Sequence, residues 1–408
     1  MVVPTWAAAE ERATRTVPGR GTRVGTVAAI YGANASGKSS VLWALASMAQ
    51  AVEGSHQRWT PDGGAPHQPF LFDTEHPKLP TVFEVDLALS DQRWQYGFGL
   101  DSVGVASEWL YSYPLGKRRV WFERDRDKGF YVGKSLTGQV NILRGLMRPN
   151  SLFLSVGAAN NHPELSLIAN SFTSDVRLCT AADQPMRYAF TTKGLADERV
   201  GPRIQALIRL ADVGIVRAES QVDPAHDEER SKLDQAMSIL VGEAGTETSR
   251  AIFSLFDVLF YHGGADGPVP LPLGSESQGT QAWYALAGAV VSALEQGQLL
   301  LIDEIDSSLH PHVAARLIKL FRDPATNKNG AQLVFTSHDT SLLGGVSEPS
   351  VMRDELWLTE KGSDGATKLY PLTDFHPRRV ENVERGYLNG RYGGVPILQE
   401  DAARVLTT

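Results

Sequence analysis

The sequence predicts an α/β fold with a mixed central sheet, an antiparallel β-subdomain and a helical insertion, and three stretches predict it. Residues 30–40, "IYGANASGKSS", stand between an apolar, β-branched run and a helical one, so a strand enters a phosphate-binding turn that opens a helix. Residues 299–311, "LLLIDEIDSSLHP", set an apolar run against two adjacent carboxylates, the mark of a buried parallel strand with a charged C-terminal end. Residues 81–133 alternate apolar and polar in short runs broken by Gly, Asp and Ser turns, which reads as an antiparallel layer.

The first stretch carries the strongest chemistry. Gly32, Gly37, Lys38 and Ser39 match G-x-x-x-x-G-K-[ST], in which backbone N–H groups wrap phosphate oxygens, the Lys reaches the outer phosphates and the hydroxyl binds Mg²⁺. The strand is "RVGTVAAIYG", residues 23–32, and the helix carries Val41, Leu42, Leu45, Met48 and Val52 near helical spacing. Its N-terminus therefore faces the phosphates. Gly32, Asn34, Ala35, Ser36, Gly37, Lys38, Ser39 and Ser40 are the candidate nucleotide-binding residues.

In the second stretch, Asp303 is a candidate Mg²⁺ ligand, through water, and Glu304 a candidate to polarise the water that attacks a γ-phosphate. Two neighbouring carboxylates at a strand end repel each other and lose solvation, and a cation offsets both costs. Two further segments belong with it. "LPLGSESQGTQAWYALAGAVVSAL", residues 271–294, places Ser277 and Gly279 where a polar loop enters an apolar helix, a second place for phosphate. "AQLVFTSHDTSLL", residues 331–343, is one more apolar strand ending in Thr336, Ser337 and His338.

Bulk composition bounds the rest. The 408 residues, 42% of them hydrophobic and 21% charged, have room for about two or three domains. The longest apolar runs fall well short of the ~20 residues of a membrane span, so no membrane partner is expected. The N-terminal residues show no export signal, and the single Cys179 permits no intrachain disulfide, so a cytoplasmic location is expected. A net charge of −8 argues against a chain coated in nucleic-acid-binding charge.

The order "GANASGKS", "GSESQGT", "LLLIDEIDSSLHP", "FTSHD" resembles the ABC-class ATPases, a set that OLD-like, RecF-like and SMC-like proteins share. More closely it resembles the compact AAA/ABC ATPases of prokaryotic abortive-infection and restriction-linked loci, the Abi/Rlo type. The likeness extends to residues 148–165, 353–375 and 385–396, and so covers most of the chain. It implies an ABC-ATPase-like P-loop fold, ATP and Mg²⁺ as cofactors, ATP hydrolysis, and a homodimer, or a higher oligomer built from dimers. It also implies that Ser277 and Gly279 act in trans on the partner's nucleotide, that Asp303 and Glu304 are Walker B carboxylate and catalytic base, and that His338 is the switch histidine. There are departures. The signature is "ESQGT", with Gln278 in place of a Gly; His310 stands where many ABC proteins carry Asp; and Gln68 in "HQPFLFD" is the candidate Q-loop metal ligand. Residues 1–22 show no alternating pattern where relatives carry an extra strand, so the true start is expected upstream of Met1.

These readings divide the chain into an N-terminal ATPase lobe at 1–140, a helical insertion or lid at 141–250 and a C-terminal ATPase lobe at 251–408. The insertion holds the amphipathic segments 203–215 and 232–244 around the acidic loop 223–230, as a lid, a partner surface or a plain structural layer. No heptad run is long enough for a coiled-coil arm. The basic and aromatic stretch 117–128 reads as a solvated hairpin, since Glu123, Asp125 and Asp127 dilute its charge. After His338 come two strands and a polar tail with Arg378, Arg379, Arg385 and Arg391, too short for a fused nuclease domain. His310, His312 and Asp364 read as a helix start and a turn rather than as metal ligands. Three functions stay open: an ATP-driven dimeric switch that controls a separately encoded effector, a nuclease or toxin, in anti-phage defence; a RecF-like repair factor that binds DNA; and an ATP-bound scaffold that hardly turns over.

Overall fold

The structure, a computed structural model, describes residues 12–18, 21–211, 214–220, 232, 258–307, 309–344, 350–378 and 381–395. The acidic loop 223–230, nearly all of the segment 232–244 and Arg379 lie outside them. In chain order the elements are β1 (Thr14–Thr16), β2 (Arg23–Gly25), β3 (Val27–Gly32), α1 (Lys38–Gly54), β4 (Thr81–Leu89), β5 (Gln92–Leu100), β6 (Val105–Ser112), β7 (Arg119–Asp125) and β8 (Gly129–Val132). There follow α2 (Val140–Leu146), α3 (Phe153–Ala159), α4 (Pro163–Thr173), β9 (Val176–Cys179), α5 (Gln184–Leu195), α6 (Gly201–Leu210), β10 (Ile215–Ser220), β11 (Val258–His262) and β12 (Val269–Pro272). The rest are α7 (Gln278–Gln296), β13 (Leu299–Ile302), α8 (Pro311–Arg322), β14 (Gln332–Thr336), β15 (Leu356–Lys361), β16 (Thr367–Pro371) and α9 (Val383–Leu388). The chain divides into two compact units, Met1–Val176 with Leu343–Thr408, and Arg177–Leu342.

In the first unit every residue of β3 is buried, as its unbroken apolar run demands. It pairs in parallel with β15, which pairs antiparallel with β16, so the sheet is mixed. The expected antiparallel layer is present as β4-β5-β6-β7-β8. The strand β4 alternates strictly between half-buried and exposed residues, as an edge strand with one covered face does. That same covered face of the layer contributes Tyr96, Phe98, Leu110 and Phe122 to a core closed by Val52 of α1, Phe153 of α3 and Ile168 and Phe172 of α4. Several charges of the 117–128 stretch are paired: Arg118 with Glu123, Arg126 with Asp101, Lys128 with Asp125, and Arg124 with the fully buried Glu108.

Two expectations about this unit are corrected. Residues 14–16 do form a strand, antiparallel to β2. It is only three polar residues long and carries no alternation to read; pairing fixes it, together with the buried ion pair of Arg12 with Asp354 at 2.5 Å. The segment after β16 is not a plain polar tail either, because α9 and the following turn bury Tyr387 and Tyr392.

The second unit packs α5 and α6 against the long helix α7. Gly288 lets α5 approach: a Cβ there would stand 2.9 Å from Thr191 Cα, and the Gly288 N–H donates to Thr191 Oγ1 at 3.2 Å. Trp283 donates to the Leu207 carbonyl at 2.7 Å, which ties α7 to α6. The strands β13 and β14 are parallel, with Ile302 opposite Phe335. The helix α8 buries Ala314, Leu317, Ile318 and Phe321, an i, i+3, i+4, i+7 stripe. The stretch expected as a helical insertion, 141–250, also contains the strands β9 and β10; each is short, and β10 reads "IVRAES", with two buried residues among six.

Candidate functional site

The chemistry-bearing residues fall into two groups, one in each unit. In the first unit, β3 ends at Gly32, the turn runs through Asn34, Ala35 and Ser36 to Gly37, and α1 begins at Lys38. Gly37 has φ of 100° and Ala35 has φ of 59°, so the backbone turns through the left-handed region twice within three residues, the kind of turn whose N–H groups can cradle an anion. The first turn of α1 holds no acidic side chain to compete with an anion. Lys38 is buried and donates from Nζ to the carbonyls of Gly32 at 3.0 Å and Ala33 at 3.1 Å, which lays its ammonium across the turn. Ser39 is half-buried and Ser40 exposed on the first helical turn. A left-handed glycine turn, a helix N-terminus without acidic residues and a lysine held across it together fit a polyphosphate. Gln68 is exposed in the connection between α1 and β4.

In the second unit, β13 delivers Asp303 and Glu304 to its C-terminal end. One hydroxyl organises both. Thr336, fully buried at the end of β14, accepts from the Glu304 N–H at 2.7 Å and donates to Asp303 Oδ1 at 2.7 Å. The Asp303 N–H donates to the Cys179 carbonyl at 3.0 Å, and the Ile305 N–H to the Thr336 carbonyl at 3.0 Å. Glu304 sits at φ of 53°, a backbone state that costs a non-glycine residue about 1–2 kcal/mol. That turn leaves Glu304 exposed while Asp303 stays half-buried. A half-buried carboxylate at a strand end suits a magnesium site built from one carboxylate, waters and phosphate oxygens. Among the described residues no group of three His, Cys, Asp or Glu side chains could hold a metal by itself.

His338 lies two residues beyond β14, exposed, its backbone N–H donating to Asp306 Oδ2 at 3.1 Å. Ser277 is the N-cap of α7: its Oγ accepts from the Thr280 N–H at 3.1 Å, with Gly279 in the first turn behind it. The residue before it, Glu276, takes a hydrogen bond from His262 Nε2 at 2.6 Å, and Gln281 donates to the Glu276 carbonyl at 2.9 Å, so the loop is tied on both sides. His310 caps α8, and Asp364 accepts from the Ala366 N–H in a turn, as the sequence suggests. Sequence reasoning gives Thr336 no role and passes over Asp306. The signal for Thr336 is the parallel register: with Ile302 opposite Phe335, the next pair is Asp303 and Thr336.

A strand, a left-handed glycine turn and a helix opened by Lys–Ser define a P-loop protein of the α/β class. The model of the family described as "AAA domain, putative AbiEii toxin, Type IV TA system" matches residues 27–148 and 158–344, about three quarters of the chain, and the chain belongs to that family. The match starts at the first residue of β3 and ends six residues after His338. It is therefore an AAA-type P-loop ATPase domain. No curated protein matches. Among solved structures, the chain is similar to the SMC head domain from Thermotoga maritima, at 13% identity over 88% of this chain and 97% of that one, with a TM-score of 0.35. It is also similar to an Smc head bound to the C-terminal winged-helix domain of ScpA, at 14% identity over 88% and 96% of the two chains, with a TM-score of 0.40. Among the described residues no helix is long and apolar enough to cross a membrane.

Proposed function

We propose that the protein binds and hydrolyses ATP with Mg²⁺ and works as a nucleotide-driven dimeric switch in prokaryotic anti-phage defence, in the cytoplasm, controlling a separately encoded nuclease or toxin. The observation that carries the hydrolytic part is the Thr336 hydroxyl that fixes Asp303 and Glu304 side by side, one half-buried and hydrogen-bonded, the other exposed. In this reading the loop from Gly32 to Ser40 holds the phosphates. Lys38 neutralises their developing charge, Ser39 and Asp303 are the metal ligands with Gln68 as a third candidate, and Glu304 orients the attacking water. When bound, the metal would screen the phosphate charges and stabilise the leaving group. Asp306 presents His338 from the end of β14, and Ser277 and Gly279 offer a capped helix N-terminus to the nucleotide of a second copy. The words "AbiEii toxin" and "Type IV TA system" in the family description support the defence setting.

Of the C-terminal arginines offered for the DNA-binding alternative, Arg391 is paired with Glu381, which lowers its value as a phosphate contact. The test is phosphate release by the purified chain, with light scattering to follow mass with and without Mg·ATP. The expected result is turnover in the wild type and an ATP-dependent doubling of mass that persists in Glu304→Gln. A chain that binds no nucleotide, or whose mass ignores it, refutes the switch.

A further inference from the structure

The hairpin β15–β16 lies against the phosphate-binding loop within the first unit. The Thr359 hydroxyl, on β15 and fully buried, is 2.6 Å from the hydroxyl of Ser36 in the loop and donates to the Tyr31 carbonyl on β3 at 3.2 Å. A threonine hydroxyl has one hydrogen, so it serves one of these oxygens at a time; when it donates to Tyr31, Ser36 is the donor to Thr359. The bonds link loop, hairpin and strand through one hydroxyl. Both glycines of the motif are packed by this hairpin. A Cβ on Gly32 would overlap the Thr359 hydroxyl and stand 2.6 Å from its carbonyl oxygen. A Cβ on Gly37 would overlap the side chain of Thr367, on β16, with Cγ2 at 2.7 Å. Glycine is thus required at both positions by threonines that come more than 300 residues later, in addition to any need for phosphate to approach the backbone.

The hairpin is itself braced from the far side. Tyr370 on β16 donates to the Tyr392 carbonyl at 3.0 Å, and Tyr387 to the Gly394 carbonyl at 3.1 Å, while Gly394 packs near Gly32, where its Cβ would lie 3.6 Å from the Gly32 Cα. The loop is therefore clamped between its own strand and a C-terminal layer made of β15, β16 and the turn after α9.

We propose that Thr359 is a positioning residue for ATP binding: it sets the Ser36 hydroxyl and holds the apex of the phosphate-binding loop in its binding conformation before nucleotide arrives. The proposal rests on the reading of this loop as the ATP site. Thr359→Val keeps the shape and the packing against Gly32 but removes both hydrogen bonds; Thr359→Ser keeps both. The experiment is titration of each full-length variant with a fluorescent ATP analogue, with melting curves taken without nucleotide and KM and kcat measured in parallel. Thr359→Val is expected to weaken binding about tenfold, the net worth of about one buried hydrogen bond, with KM rising similarly and kcat changing less than twofold. Thr359→Ser is expected to restore both. A double-mutant cycle with Ser36→Ala is expected to show coupling, the pair losing little more than either single variant. Nucleotide affinity in Thr359→Val equal to that of the wild type, or additive losses in the cycle, overturns the proposal even where the melting temperature falls. A wild-type chain that binds no nucleotide refutes the ATP reading itself, and the two failures are told apart by the wild-type titration.

Discussion

Replacing Thr336 by valine removes one hydroxyl and nothing else of size, so its effect can be worked out from the bonds that hydroxyl makes. Two hydrogen bonds of 2.7 Å disappear. The bond from the Glu304 N–H is between neutral groups and is worth about 1 kcal/mol net, and the bond to the Asp303 carboxylate is worth about 1.5–3 kcal/mol. Together the loss is about 3 kcal/mol. The valine methyl stands where an acceptor was, and the bend at Glu304, with φ of 53°, loses the contact that holds it. For a unit the length of residues 177–342, each kcal/mol moves the melting temperature by about 2–4 °C, so the transition of that unit should fall by roughly 6–12 °C. Activity should fall further than stability implies. Glu304 is assigned to orient water, and a small displacement of such a group costs on the order of 10²-fold in rate. The assay is differential scanning calorimetry beside ATP hydrolysis at a temperature where both proteins are folded. A variant within about 1 °C of the wild type and with an unchanged kcat would mean that Thr336 organises neither carboxylate, and the role given to that strand end would be withdrawn.

Glu304→Gln should keep ATP bound while turnover falls at least about 10³-fold, read by nucleotide retention on a desalting column against phosphate release. Lys38→Ala should lose nucleotide binding, measured by titration, because the ammonium laid across the turn at 3.0–3.1 Å from two loop carbonyls is the charge assigned to the phosphates. Gly37→Ala should do the same and also lower the melting temperature, since it combines φ of 100° with overlap of Thr367; a folded variant with normal affinity would contradict the packing argument. Asp101 gives an acid limb. The Arg126 guanidinium, with the N–H groups of Gly104 and Val103, lowers its carboxyl to about 2 from the ordinary 3.8. A carboxyl depressed in the folded state stabilises above the ordinary value, and that contribution fades as pH falls from about 4 through about 2. Urea midpoints of the wild type and Asp101→Asn should therefore differ above about pH 4 and converge towards about pH 2; a constant difference across that range would exclude the ion pair as the cause.

The parts that were legible in the sequence are those in which consecutive residues each carry a geometric demand. In "GANASGKS" the glycines, lysine and hydroxyl are all needed within one turn, and in "LLLIDE" the apolar run and the carboxylates mark a strand and its end without help from elsewhere. The antiparallel layer was readable for the same reason: the alternation of β4 is written into nine consecutive residues. The parts that were not legible depend on partners far along the chain. Ser36 reads as a loop residue until Thr359, 323 positions later, is placed on its hydroxyl. Residues 14–16 read as no strand at all until β2 and the Arg12–Asp354 pair, which joins positions 342 apart, hold them. Tyr387 and Tyr392 sit among arginines and glycines in a stretch whose composition is polar, and only the bonds of Tyr387 to the Gly394 carbonyl and of Tyr370 to the Tyr392 carbonyl show that it is a packed layer behind the loop.

The phosphate-binding loop holds its shape through the same kind of distant contact. A glycine turn is the most expensive backbone to order, because glycine loses more freedom on folding than any other residue. In the first unit that cost is met by residues of the C-terminal hairpin, which fill the space beside both glycines with threonine side chains and take up the Ser36 hydroxyl. The motif therefore specifies what the loop can bind, whereas its conformation is set by β15 and β16. Shortening the chain before Leu356 should then leave the motif intact in sequence and abolish nucleotide binding, with β3 deprived of its parallel partner and the loop of both threonines. Retention of wild-type affinity by a folded, shortened chain would show that the loop orders itself.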